Sequence, residues 1–157
     1  VLSTIHTNTA AGIVPRLIDM GVDPYLIPPT LALGMAQRLV KKICPNTGES
    51  VRIEGSIKEM IDKQFADLPE QYKSKLPPMN EFLKIKPTPE CPSGTSGREA
   101  VFEVYEMDRD IENVILHNPV ESAVYDVARS KGMLTLKENA ILKALNKEVP
   151  FEEINTL

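Results

Sequence analysis

The chain has 157 residues, of which 42% are hydrophobic and 25% charged, enough for one ordinary domain or two very small ones. A formal net charge of −4 leaves no excess of Lys and Arg to neutralise phosphates, which argues against a general nucleic-acid or anionic-membrane surface. No apolar run approaches the roughly 20 residues that cross a bilayer, and no basic-then-apolar leader is read at the N-terminus.

In chain order, Val1 to Ile5 (VLSTI) is apolar and β-branched, and predicts a strand buried on both faces. Asn8 or Thr9 is placed to cap a helix over Ala10 to Met20, with Ile13, Leu17 and Ile18 on one face and Gly21 at its end. Asp23-Pro24 starts a second helix, which Pro28-Pro29 kinks or restarts. Ala36 to Cys44 (AQRLVKKIC) reads as a strand. From Pro45 to Pro92 the pattern weakens: Asn46-Thr47-Gly48 is a turn, Ser56 to Phe65 a short helix, and six prolines between Pro69 and Pro92 mark a loop-rich insertion. SGREAVFEVYEM then predicts a strand.

Helices follow. Asp108 caps the first. Asn118-Pro119-Val120-Glu121 has a capping-box pattern, and Gly132 ends that helix; Thr135 to Glu138 repeats the box, and Pro150 with Glu152 and Glu153 starts a last short helix. Strand followed by helix predicts a helix-rich α/β fold with its ligand edge at the C-terminal end of the strand.

Three side chains stand out. His6, at the end of the first strand and followed by Thr7 and Asn8 at a helix N-terminus, is placed where a phosphate would meet amide donors and an imidazole; the alternative is a histidine satisfied by a backbone carbonyl. Arg16 and Arg38, on otherwise apolar stretches, would need a carboxylate or phosphate if buried, and otherwise lay their stems over the core. The two cysteines, Cys44 and Cys91, are too few for a disulfide framework, so a reducing compartment is expected. They begin Cys-Pro-Asn-Thr and Cys-Pro-Ser-Gly, two C-x-x-C shapes that each lack the second thiol, so no zinc and no other metal site is predicted. The chain contains no G-x-x-x-x-G-K-S/T, H-E-x-x-H or G-x-S-x-G and so lacks the parts for nucleotide hydrolysis by itself.

Taken together, VLSTIHTNTAAG, PRLIDMGVDPYLI, AQRLVKKICP, GREAVFEVYEM and GMLTLKENAILKAL resemble, in that order, the C-terminal third of the type II secretion and type IV pilus assembly ATPases, hexameric P-loop motors. The resemblance runs from Val1 to about Ile154 and is poorer between Gly48 and Pro89. STIHTN looks like the family's histidine box. The resemblance implies that Val1 lies mid-strand in a motor domain, beyond Walker A, the acidic box and Walker B. That strand edge should then be covered by an oligomer contact or locally rearranged.

The implied architecture is the C-terminal part of a RecA-like core over 1–44, a loop-rich insertion with degenerate zinc knuckles over 45–92, and a strand with a small helical bundle over 93–157. His6, Thr7 and Asn8 are implied to contact the γ-phosphate, with Arg16 and Arg38 in phosphate contact or inter-segment pairing, and Arg98, in the same segment as Glu103, either in a structural ion pair or in a functional contact. The parent would use ATP and Mg, while this stretch alone should be inactive and bind ATP weakly. Implied partners are neighbouring subunits of a homo-hexamer and an inner-membrane platform protein, with no nucleic acid and no membrane insertion. The location would be cytoplasmic, at the inner face of the membrane. Thr47 and Gly94 replace the family's second cysteines, and Pro28-Pro29 replaces small helix-compatible residues. Two other readings remain open: a freestanding interaction module, against which the missing first Met counts, and a retraction or DNA-uptake motor.

Overall fold

Val1 to Ile5, expected as a buried strand, pairs with no strand, and Val1 to Thr4 are exposed. A β-branched run favours extended backbone but supplies no partner for its own amides, and both sheets of the chain are completed by other strands. The computed structural model describes residues 1–157, which fall into two compact units. Unit 1 comprises residues 1–36 and 103–134, and unit 2 residues 37–102 and 135–157.

Several element ends are set by the expected capping residues and others are not; the first helix, expected to be capped by Asn8 or Thr9, has Gly12 as its N-cap. Helix α1 is Ile13–Asp19, shorter at its start than the expected Ala10. Gly21, at φ +91°, ends it by donating to Ile18 O (2.8 Å) while Val22 N–H reaches Leu17 O (3.1 Å), the paired closure that a left-handed residue after a helix allows. The expected second helix is only a 3-10 turn, Pro24–Leu26. Strand β1 is Leu33–Ile43 and β4 is Thr95–Glu106, and they form one two-stranded sheet. Met107 N–H bonds Ala32 O at one end and Cys44 N–H bonds Gly94 O at the other, so the two strands run antiparallel.

Unit 1 is completed by α4 (Arg109–His117) and α5 (Glu121–Ser130). Asp108 caps α4 as predicted, accepting from the amides of Asp110 and Ile111. The expected cap of α5 by Asn118 does not form: the N-cap is Val120, with no side-chain cap bond. Gly132 closes α5 with the same pair of bonds seen at α1, to Arg129 O and from Met133 to Ala128 O. Ile13, Val14, Ile111, Ile115 and Val124 form the centre of this core.

Unit 2 contains elements that the sequence did not announce. Between Pro45 and Pro92 two strands, β2 (Glu49–Arg52) and β3 (Glu81–Lys84), pair antiparallel from Glu49↔Lys84 to Arg52↔Glu81. Helices α2 (Gly55–Gln64) and α3 (Glu70–Lys73) lie between them in sequence. The C-terminal helices are α6 (Leu136–Leu145) and α7 (Phe151–Ile154). The Thr135–Glu138 capping box of α6 is present in both directions, with Glu138 fully buried. Phe82 of β3 stacks on Phe151 of α7 at 5.5 Å between ring centroids, in a core with Ile61, Leu68, Ile141 and Ile154.

Cys44 and Cys91, which the composition assigned to reduced thiols, are joined as a disulfide. No helix is long and apolar enough to cross a membrane.

Candidate functional site

The segment His6–Gly12 is irregular, and the physics of irregular backbone is that every buried amide still needs an acceptor. Here those acceptors are side chains. Ala10 N–H donates to Glu103 Oε1 at 2.7 Å, and Glu103, on β4, is only 3% exposed. Gly12 N–H donates to Thr9 Oγ1 at 3.0 Å, and the same hydroxyl donates to Glu121 Oε1 of α5 at 2.5 Å. The Thr7 hydroxyl donates to Thr9 O at 2.9 Å. From Ala10 to Val14 the chain is buried. All of these groups belong to unit 1.

His6 itself is exposed and its ring makes no hydrogen bond within the chain. It does not stand at a helix N-terminus, because α1 begins only at Ile13. The amides expected to receive a phosphate are instead engaged: Ala10 by a carboxylate and Gly12 by a hydroxyl. Two carboxylates at this point oppose an anion beside the Ala10 and Gly12 amides.

Arg16 lies exposed on α1 with no side-chain partner. Arg38, exposed on β1 in unit 2, donates from Nη1 to Gln37 O at 3.1 Å. Within unit 1, His6 and Arg16 make no hydrogen bond to one another. Arg98 is exposed and makes no ion pair, and Glu103 accepts from the Ala10 amide. Thr9, Glu103 and Glu121 carry the geometry of this segment, and no sequence signal links the two acids to it: Glu103 reads as a neighbour of Arg98 and Glu121 as part of a capping box. They lie 93 and 112 residues from the groups they bind.

Elsewhere the charges are arranged in local pairs. Lys131 contacts both Asp108 and Asp110, and its ammonium, with the Ile111 amide, holds the Asp108 carboxyl below its ordinary range. Lys143 does the same for Glu99, and Lys147, helped by Ser50, for Glu81. Burial pushes the Tyr105 hydroxyl up to about 12, and that hydroxyl has no hydrogen-bond partner. The two cysteine sulfurs are bonded to each other, which leaves neither as a thiolate ligand.

Residues 1–156 match the family described as "Type II/IV secretion system protein". Among curated relatives, the chain is 33% identical over 156 residues to a type II secretion system protein E of Xanthomonas campestris, covering 98% of the chain and 26% of that protein. It is 29% identical over 155 residues to the type IV pilus assembly ATPase PilB of Thermus thermophilus, covering 98% of the chain and 16% of the relative. It is 32% identical over 158 residues to an Escherichia coli protein named protein transport protein HofB homolog, covering 98% and 30%. The chain therefore belongs to the type II/IV secretion system protein family, and it spans between 16% and 30% of the length of these relatives.

Proposed function

We propose that the chain is the C-terminal part of an ATP-hydrolysing motor that powers type IV pilus assembly or type II protein secretion. The observation that carries this reading is the match over residues 1–156 to a family whose relatives are named for those two processes. In this reading residues 1–44 complete a RecA-like core, 45–92 are an insertion, and 93–157 are the strand and helical subdomain.

Bound nucleotide supplies the γ-phosphoryl group, and the catalytic contribution of such a motor is positioning and electrostatic stabilisation. Of this chain's residues, His6 fits a phosphate-contacting role, being exposed and without a partner in the chain. Thr7 and Asn8 complete the box. Arg16 and Arg38 present exposed guanidinium groups that would meet phosphate or a neighbouring subunit of a homo-hexamer. The chain alone would not hydrolyse ATP. Its partners would be sister subunits and a platform protein at the cytoplasmic face of the inner membrane.

The test is ATP turnover of the whole protein. His6→Ala should lower it by about tenfold or more while the oligomer is retained by gel filtration. Wild-type turnover in that variant overturns the phosphate-contacting role. Intact-mass analysis with peptide mapping of the native protein separates this reading from a freestanding interaction module. A G-x-x-x-x-G-K-S/T peptide upstream of Val1 supports the motor, and a native chain that begins at Val1 overturns it.

A further inference from the structure

Regular order in unit 1 begins where two acidic side chains take hold of the chain. Upstream of that point Val1 to Thr4 are exposed and unpaired; from Ala10 to Val14 every residue is buried. The change falls at Thr9, whose single hydroxyl both donates to Glu121 and accepts from Gly12 N–H. One residue later Glu103 takes the Ala10 amide from inside the core. Burying a carboxylate is costly unless it is hydrogen-bonded, so Glu103 in this position is strongly directional. The fit is also tight. A Cβ on Gly12 would lie 3.1 Å from Thr9 Oγ1, tighter than most Cβ contacts, and 3.5 Å from Glu121 Oε2, an ordinary van der Waals contact.

We propose that Thr9, Glu103 and Glu121 are positioning residues for the histidine box. They clamp the backbone three to four residues past His6 to strand β4 and to the N-terminus of helix α5, so that the imidazole is held relative to those two elements. This rests on the motor reading. Under it, a displacement at His6 on phosphate contact or release is passed to α5 through Thr9 and Glu121 rather than absorbed by a loose loop, which is the two-sided coupling that a sensing residue requires.

The experiment uses the whole protein and starts from Glu121→Ala, since Glu121 is exposed and its removal leaves the core intact. ATP turnover should show kcat lowered by about tenfold with KM for ATP within about twofold, the pattern of lost positioning rather than lost binding. Thr9→Val should reproduce this, Thr9→Ser should restore kcat to within about threefold, and Thr9→Val with Glu121→Ala together should cost no more than either alone. In the same protein, exchange of the Gly12 amide should accelerate by about fivefold or more in Glu121→Ala. Wild-type kcat in Glu121→Ala, or additive losses in the double variant, overturns the clamp. A wild-type protein without ATP turnover overturns the motor reading and not the clamp. The Gly12 amide then decides alone: accelerated exchange in Glu121→Ala upholds the clamp and unchanged exchange overturns it.

Discussion

Each unit of this chain must fix a stretch of irregular backbone, and the two do it with different chemistry. Unit 1 holds residues 9–12 by hydrogen bonds to Glu103 and Glu121. Unit 2 ties the loop after β1 to the loop before β4 with a covalent bond between Cys44 and Cys91. Around that bond the backbone adds short local links, Thr88 with Cys91 in both directions and Gly94 N–H to Cys91 O, and one link between the two loops, Cys44 N–H to Gly94 O. A carboxylate contact can be exchanged for water or a ligand within the lifetime of the folded state. A disulfide stays closed until a thiol opens it. The stretch in unit 1 is thus held reversibly and the one in unit 2 covalently.

The largest expected effect breaks the covalent side. Replacing Cys44 and Cys91 by Ser opens a loop of 47 residues' separation, and chain-entropy arguments put the loss at up to about 4 kcal/mol. Denaturant unfolding should show it, with a reduced wild type matching the double variant. On the other side, Glu103→Leu leaves the buried Ala10 amide without its acceptor, a loss of about 1–3 kcal/mol. Exchange at Ala10 should rise while amides of α6 in unit 2 keep their protection. An unchanged Ala10 amide would mean that Glu103 is a bystander.

Tyr105→Phe sharpens the comparison from the opposite direction. Its hydroxyl is buried with no partner, so its removal should leave stability unchanged or raise it by about 1 kcal/mol in a thermal melt. A destabilised variant would point to a water or ligand serving that oxygen.

The smallest effect is acid sensitivity. The Asp108 carboxyl titrates below its unfolded value of 3.8, chiefly because of Lys131. Its support for α4 is therefore full at neutral pH and is lost as pH falls from about 4 through the lower folded value. Glu81 and Glu99 in unit 2 are lowered from 4.5, chiefly by Lys147 and Lys143, so losses there begin slightly earlier in the same descent. An acid titration of exchange protection, read separately at the start of α4 and in β3, checks the order.

What could be read in the sequence was what is decided within one helical turn. Asp108 before Ile111, Thr135 before Glu138, and Gly21 and Gly132 after their helices each place donor and acceptor two to five residues apart, and the structure contains all four devices. Asn118 carried the same signal and failed, because Val120 N–H turns back to Asn118 O and the helix starts later. Strands β2 and β3 were missed because a strand is settled by its partner, and Glu49 meets Lys84 across 35 positions. Val1 to Ile5 misled for the converse reason: suitable residues with nothing in the chain to pair them. In the candidate site the motif draws attention to His6, but the hydrogen bonds that hold Thr9 and Ala10 could not be read, since nothing near Thr9 in sequence announces Glu103 or Glu121.

The bond between Cys44 and Cys91 makes a closed ring of the chain between them, and β2, α2, α3 and β3 all lie within that ring. A protease that cuts once anywhere from Pro45 to Glu90 therefore releases nothing. The nicked protein remains a single covalent molecule, runs as one band without reductant, and comes apart only when the sulfurs are separated.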